Sequence, residues 1–114
     1  MNKITEKSCK TFLAEIYMAG DIHLAKQVIR EYCLTGFCVS IEKVYYIYTT
    51  GEKSGFVARV INYPRFERTE SEIKERASSL ALSLLVGLHQ GLCSIVFSDE
   101  TVFMSRRDVD KVKQ

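Results

Sequence analysis

In the stretch INYPRFERTESE, residues 61–72, an arginine stands between two aromatic residues just after the only proline of the chain. Pro64 pushes Tyr63 towards extended geometry and ends a strand, so the side chains that follow are aimed away from the sheet. Arg65 offers a planar fork of donors suited to phosphate, and Tyr63 or Phe66 offers a ring on which a base can stack. With Asn62 beside them, these residues read as one wall of a pocket for a small anionic ligand that contains a base. A competing reading packs Tyr63 and Phe66 into the core and pairs Arg65 with Glu67 or Glu70 in water.

A second set, Ser105, Arg106 and Arg107, closes the last strand with a hydroxyl and two guanidinium groups, a compact arrangement for a pyrophosphate or two phosphates. Its alternative is a solvated strand end neutralised by Asp108 and Asp110. Lys26 and Arg30, one helical turn apart, read better as a surface face paired with Glu31. The two histidines, His23 and His89, stand beside no serine or cysteine of a hydrolase signature, and the glycines form neither a dinucleotide fingerprint nor a P-loop. No spacing brings two carboxylates together for acid/base work. The expectation is therefore a protein that is no enzyme, with no catalytic residue. Cys9, Cys33, Cys38 and Cys93 contain no C-x-x-C pair, so neither a metal nor a cofactor is expected.

The elements that must position these groups fit in one domain, given 114 residues. The 16 basic and 14 acidic residues leave a net charge of +2, too little to coat a nucleic-acid polymer, so any anion site must be local. Nothing at the N-terminus resembles a secretory h-region, and the cysteines are expected to be reduced in a cytoplasm. From Ala77 to Phe97 there is no formal charge. Its serines, its Gln90 and a change of period near Gly91 mark a buried helix followed by a strand rather than a membrane span.

Residues 3–17 suggest a first helix through Ile4, Phe12, Leu13 and Ile16. Asp21 reads as the N-cap of a helix that Gly36 ends. FCVSIE, VYYIYTT and GFVARVINY read as strands, the last two joined through GEKSG. Thr69 and Glu72 form a capping box for a helix from 70 to about 90. LCSIVFS and TVFMS make a second hairpin around Asp99. The result is an α+β fold, a mainly antiparallel sheet of about four to five strands packed against two helices. Residues 1–17 are set apart as a helix or extension, 18–107 as the ligand-binding domain and 108–114 as a polar tail. Helix 70–90 is apolar almost all round, so Leu84 or Leu85 is expected to meet a second subunit.

Taken in order, AGDIHLAKQVIREYC, GFCVS, YIYTTGE, VINYPRFERT, ERASSLALSLL and ETVFMSR resemble the Thoeris anti-defence family, type one, a group of small phage proteins. The resemblance runs from about Met18 to Arg106. It implies a sponge that sequesters, without turnover, a cyclic ADP-ribose isomer made by a bacterial TIR-domain enzyme, in the cytoplasm of the infected host. It also implies symmetric homo-oligomers with pockets between subunits, some of which take up cyclic oligonucleotides at separate sites. INYPRF and MSR carry over only as pocket positions. The rival from another class is a phage structural or protein-interaction module without a small-molecule ligand, and a third, weaker one is a nucleotide-processing enzyme.

Overall fold

The structure, a computed structural model, describes residues 3–106. Arg107 and the tail at 108–114 lie outside the described residues. Five strands and two helices follow the order β1 (Leu13–Ala19), α1 (Ile22–Tyr32), β2 (Ser40–Tyr48), β3 (Gly51–Ile61), α2 (Glu70–Gly87), β4 (Leu92–Phe97) and β5 (Thr101–Ser105). The strands form one sheet in the order β2-β3-β1-β4-β5, every neighbouring pair antiparallel. This is the expected α+β class.

The first helix is not there. Ala14, Ile16 and Met18 are buried while Leu13, Glu15 and Tyr17 between them are half-buried. That alternation is the signature of a strand with unlike faces, and it overrides the helical preference of Leu, Ala, Glu and Met. β1 is the central strand, pairing Leu13 with Ile61 and Ala14 with Phe97. A boundary at residue 17 would cut through it.

The helices begin where their caps dictate. Asp21 accepts a hydrogen bond from the His23 amide at 2.8 Å, and Thr69 and Glu72 exchange side-chain and backbone bonds at 3.1 Å each. These bonds satisfy first-turn amides that the helix itself leaves unpaired. FCVSIE and VYYIYTT merge into β2, and the hairpin turns at Thr49 and Thr50, since Tyr48 already pairs with Gly51. GEKSG is therefore strand rather than turn.

Both helices cover one face of the sheet. Ile73, Ala77, Leu80, Ala81, Leu84, Leu85 and Leu88 of the α2 segment pack with Ala25 and Ile29 of α1 onto Ile16, Met18, Phe56, Val60 and Ile95. Leu84 and Leu85 are both 0% exposed, so neither is available to a second subunit. Sheet and α1 together cover the two directions that were expected to need a partner. The exposed apolar residues of α2 are Leu82 and Val86. Among the described residues, no helix is long and apolar enough to cross a membrane.

Candidate functional site

At the C-terminal end of β1 the chain passes from strand to helix through Gly20 and Asp21. Gly20 has φ +136°, and a Cβ there would lie 2.9 Å from Leu88 Cδ2, so only glycine takes this step without strain. Two cavities meet around this point. One, of about 490 Å³, is lined by Gly20, Asp21, His23, Lys43, Lys53 and Gln90 among others. The other, of about 520 Å³, is lined by Tyr17, Tyr46, Tyr48, Lys53, Gln90 and Leu92 among others. Ala19, Lys53 and Gln90 belong to both. Each is large enough for a small organic ligand.

The two halves differ in chemistry because strand alternation sends different residues to each side. Lys43, Tyr45 and Ser54 fall on the helix side, and Lys43 and Ser54 line the cavity with Ile22 and His23 at the start of α1. Tyr46 and Tyr48 fall on the helix-free face with Tyr17. The Tyr46 hydroxyl donates to the Phe56 carbonyl at 3.0 Å and reaches the Met18 carbonyl at 3.4 Å. Burial pushes its phenol up from the ordinary value, so it stays a neutral donor. Its ring crosses Gly55, where a Cβ would come within 2.6 Å of Tyr46 Cε2. Tyr17 donates to Glu15 at 3.3 Å, and Arg59 bridges Glu15 at 2.7 Å and Glu42 at 2.9 Å. That network sets one guanidinium between two carboxylates and leaves the middle of the helix-free face with one net negative charge.

In the polar half, Asp21 sits with two lysines. Lys43 and Lys53 make no ion pair among the described residues, and the Lys43 ammonium lies 5.4 Å from the Tyr45 ring centre. One carboxylate beside two ammonium groups can receive both ends of a zwitterion. No cluster of three or more His, Cys, Asp or Glu side chains suited to a metal occurs among the described residues.

The residues singled out by sequence are divided between the two ends of the sheet. Asn62, Tyr63, Arg65 and Phe66 follow β3 at the end where β1 begins; Ser105 pairs with Leu92 at the end where β1 finishes. Roughly 20 Å of strand separates them, so they share no pocket within one chain. Asn62 is 6% exposed and acts as a clasp: its amide nitrogen donates to the Lys10 carbonyl at 2.9 Å, and its oxygen accepts from the Arg68 amide at 2.7 Å. Tyr63 donates to the Cys38 sulfur at 3.7 Å, a contact that with burial raises its phenol above the usual range. Arg65 stands over the Phe66 ring at 5.4 Å, and Phe66 is 66% exposed. Arg106 donates through Nε to the Gln90 carbonyl at 2.7 Å, which brings it to the rim of the double cavity. Tyr17, Tyr46, Tyr48, Lys43 and Lys53 were missed, although the alternation in VYYIY already sets Tyr46 and Tyr48 on one side.

The fold and the cleft define a single-domain α+β protein with a ligand-sized recess at the end of its central strand. No family model matches the sequence, and no curated protein matches it. Two solved structures share the fold. A phage SAM lyase in complex with S-methyl-5'-thioadenosine superimposes with a TM-score of 0.66 at 10% identity, over 91% of this chain and 96% of the other. A phage SAM lyase in the apo state gives 0.65 at 12% identity, over 92% and 98%. Neither is a Thoeris sponge. The expectation of a protein that is no enzyme is overturned by these neighbours, which are enzymes. The missing hydrolase and P-loop signatures exclude only chemistries that need them.

Proposed function

We propose that the chain is a phage-type protein that takes a small adenosine-containing molecule of the S-adenosylmethionine class into the cleft at the end of β1. The observation that carries this reading is the meeting of an aromatic and a doubly charged cavity at Ala19, Lys53 and Gln90. Such a ligand has the same division. Its adenine suits the faces of Tyr17, Tyr46 and Tyr48, its sulfonium suits their electron-rich rings, and its ammonium and carboxylate suit Asp21 and the lysines. S-methyl-5'-thioadenosine is what S-adenosylmethionine leaves when the bond from sulfur to the amino-acid side chain is cut. A sulfonium is already a good leaving group: when the tail is held so that its own carboxylate oxygen reaches the γ-carbon, a carbon–oxygen bond forms as the carbon–sulfur bond breaks and its electron pair stays on sulfur. Holding that conformation supplies much of what cleavage requires.

The test is to incubate purified protein with S-adenosylmethionine, follow S-methyl-5'-thioadenosine by chromatography, and titrate both molecules calorimetrically. Binding lost in Tyr48→Ala and in Lys53→Ala supports the reading; absence of binding by the wild type removes it. Lys43 and Lys53 together favour a second reading, a cyclic ADP-ribose isomer with its phosphates on the two ammonium groups. Binding of those isomers, with none of S-adenosylmethionine, would select it. If neither class binds, the protein-interaction module remains. The proposed setting is the cytoplasm of an infected bacterium.

We also propose a homo-oligomer made by the β2–β3 hairpin in place of Leu84 and Leu85. The hairpin runs past the end of β1 with Tyr45, Ile47 and Tyr48 exposed, and Tyr48 continues into the cleft. Sedimentation of the wild type as a monomer at micromolar concentration would remove this part.

A further inference from the structure

At the opposite end of the sheet from the β1-end cleft lies a smaller cavity of about 210 Å³, lined by Phe37, Cys38, Ile61, Tyr63, Phe66 and Arg68 with Gly36. Three aromatic rings on so small a space make it base-sized. Guanidinium groups border the rings: Arg68 lies 5.0 Å from the Phe37 ring centre, Arg76 5.5 Å from the same ring and Arg65 5.4 Å from that of Phe66. Arg65 makes no ion pair among the described residues. Arg68 reaches Glu72 only at 3.8 Å, which leaves most of its fork of donors uncommitted.

Among the described residues, no acidic side chain lines this cavity. Glu67, Glu70 and Glu72 line a separate cavity with Lys10 and Phe12, to which Arg68 also contributes. The walls are held in place independently of any ligand. Asn62 pins the loop through the Lys10 carbonyl and the Arg68 amide, the Phe66 amide donates to the Tyr63 carbonyl at 2.9 Å, and Tyr63 is tied to Cys38. A preorganised aromatic slot with arginines at its mouth is suited to a planar ring that carries a negative group.

We propose that this cavity is a second ligand site, for a nucleoside monophosphate whose base enters between Phe37 and Phe66 and whose phosphate meets Arg65 and Arg68. The site does not depend on what the β1-end cleft binds. Cys38 reports its occupancy, because this residue is exposed and lines the cavity, whereas Cys93 is buried.

The test labels the whole chain with iodoacetamide and locates the modified cysteines by mass spectrometry. Adenosine 5'-monophosphate at ten times its dissociation constant should slow labelling of Cys38 about tenfold, as expected when the occupied fraction is protected. Adenosine alone and inorganic phosphate alone should protect far less. Phe66→Ala, which removes a mostly exposed ring, and Arg68→Ala should each abolish the protection. S-adenosylmethionine should leave Cys38 labelling unchanged even where it saturates the other cleft. No protection at millimolar nucleotide overturns the proposal. So does equal protection by inorganic phosphate, by phosphotyrosine or by S-adenosylmethionine, or protection that survives in Phe66→Ala. Failure of S-adenosylmethionine to bind at all would remove the reading of the first cleft and leave this result intact.

Discussion

Arg106 donates its Nε to the carbonyl of Gln90 at 2.7 Å and its backbone amide to Gly91 at 2.8 Å, which fastens the end of β5 to a residue that lines both halves of the cleft. Arg106 is thus a positioning residue in the proposed site, acting through Gln90. Arg106→Ala should weaken ligand binding by about tenfold, equivalent to the loss of roughly 1.4 kcal/mol. Its melting temperature should stay close to that of the wild type, since the side chain is exposed. Calorimetric titration beside thermal melts checks both; unchanged affinity would mean that Gln90 needs no such support.

Gly55 lies beneath the Tyr46 ring, and a Cβ there would stand 2.3 Å from the Met18 carbonyl oxygen, which is backbone and cannot swing aside. Gly55→Ala should therefore part β1 from β3 at this point and destabilise the protein by about 1–3 kcal/mol. Tyr46→Phe keeps the ring and loses only its hydrogen bond, with a cost of about 1 kcal/mol. Chemical denaturation curves rank the two, and the order alanine worse than phenylalanine is the expected one.

Asn62 separates a structural role from a ligand-binding one. Replacing it by alanine strands the Lys10 carbonyl and the Arg68 amide, and should cost roughly 2–4 kcal/mol of stability for two nearly buried hydrogen bonds. In the mutant that remains folded at low temperature, affinity for S-adenosylmethionine at the far end should be that of the wild type. A mutant as stable as the wild type would contradict the clasp.

Glu72 makes stability depend on pH. Its carboxylate accepts hydrogen bonds from the Thr69 backbone and side chain and is held below its ordinary value of 4.5. A carboxyl whose folded value is depressed binds fewer protons when folded. Its contribution is therefore complete above pH 4.5 and is lost as the pH falls through the lower folded value. Glu72→Gln should flatten the acid limb of a plot of melting temperature against pH while changing little near neutrality. An acid limb of unaltered slope would assign the acid sensitivity to other groups.

What could be read from sequence follows the range of the interactions involved. Asp21 with His23 and Thr69 with Glu72 are bonds within one turn, and both caps stand where short-range patterning puts them. The strand LAEIYMA was misread because its residues favour helix one by one. Its burial alternates only because β3 and β4 flank it and the helices cover one side, facts that reside far along the chain. Leu84 and Leu85 failed as interface residues for a like reason: the cover supplied by α1 depends on how the two helices dock, and periodicity does not report docking. Around the candidate cleft, Arg106 was legible as a residue of interest while the tyrosines were not. A guanidinium at a strand end announces itself, whereas Tyr17 and Tyr46 become a wall only when β1 and the β2–β3 hairpin lie side by side. The class expected for the fold stands, and the chemistry expected from missing motifs does not.

The first strand of the chain is also the middle of the sheet, and this orders the events of synthesis. A ribosome releases Leu13–Ala19 long before either neighbour exists, so both edges of β1 wait unpaired. The β2–β3 hairpin closes locally and can receive β1 once Ile61 has emerged; β4 closes the other edge only after Phe97. Refolding of the full chain should accordingly be limited by these two distant closures rather than by its helices, and a nascent chain stalled before β4 would carry a half-finished sheet with an open edge at its centre.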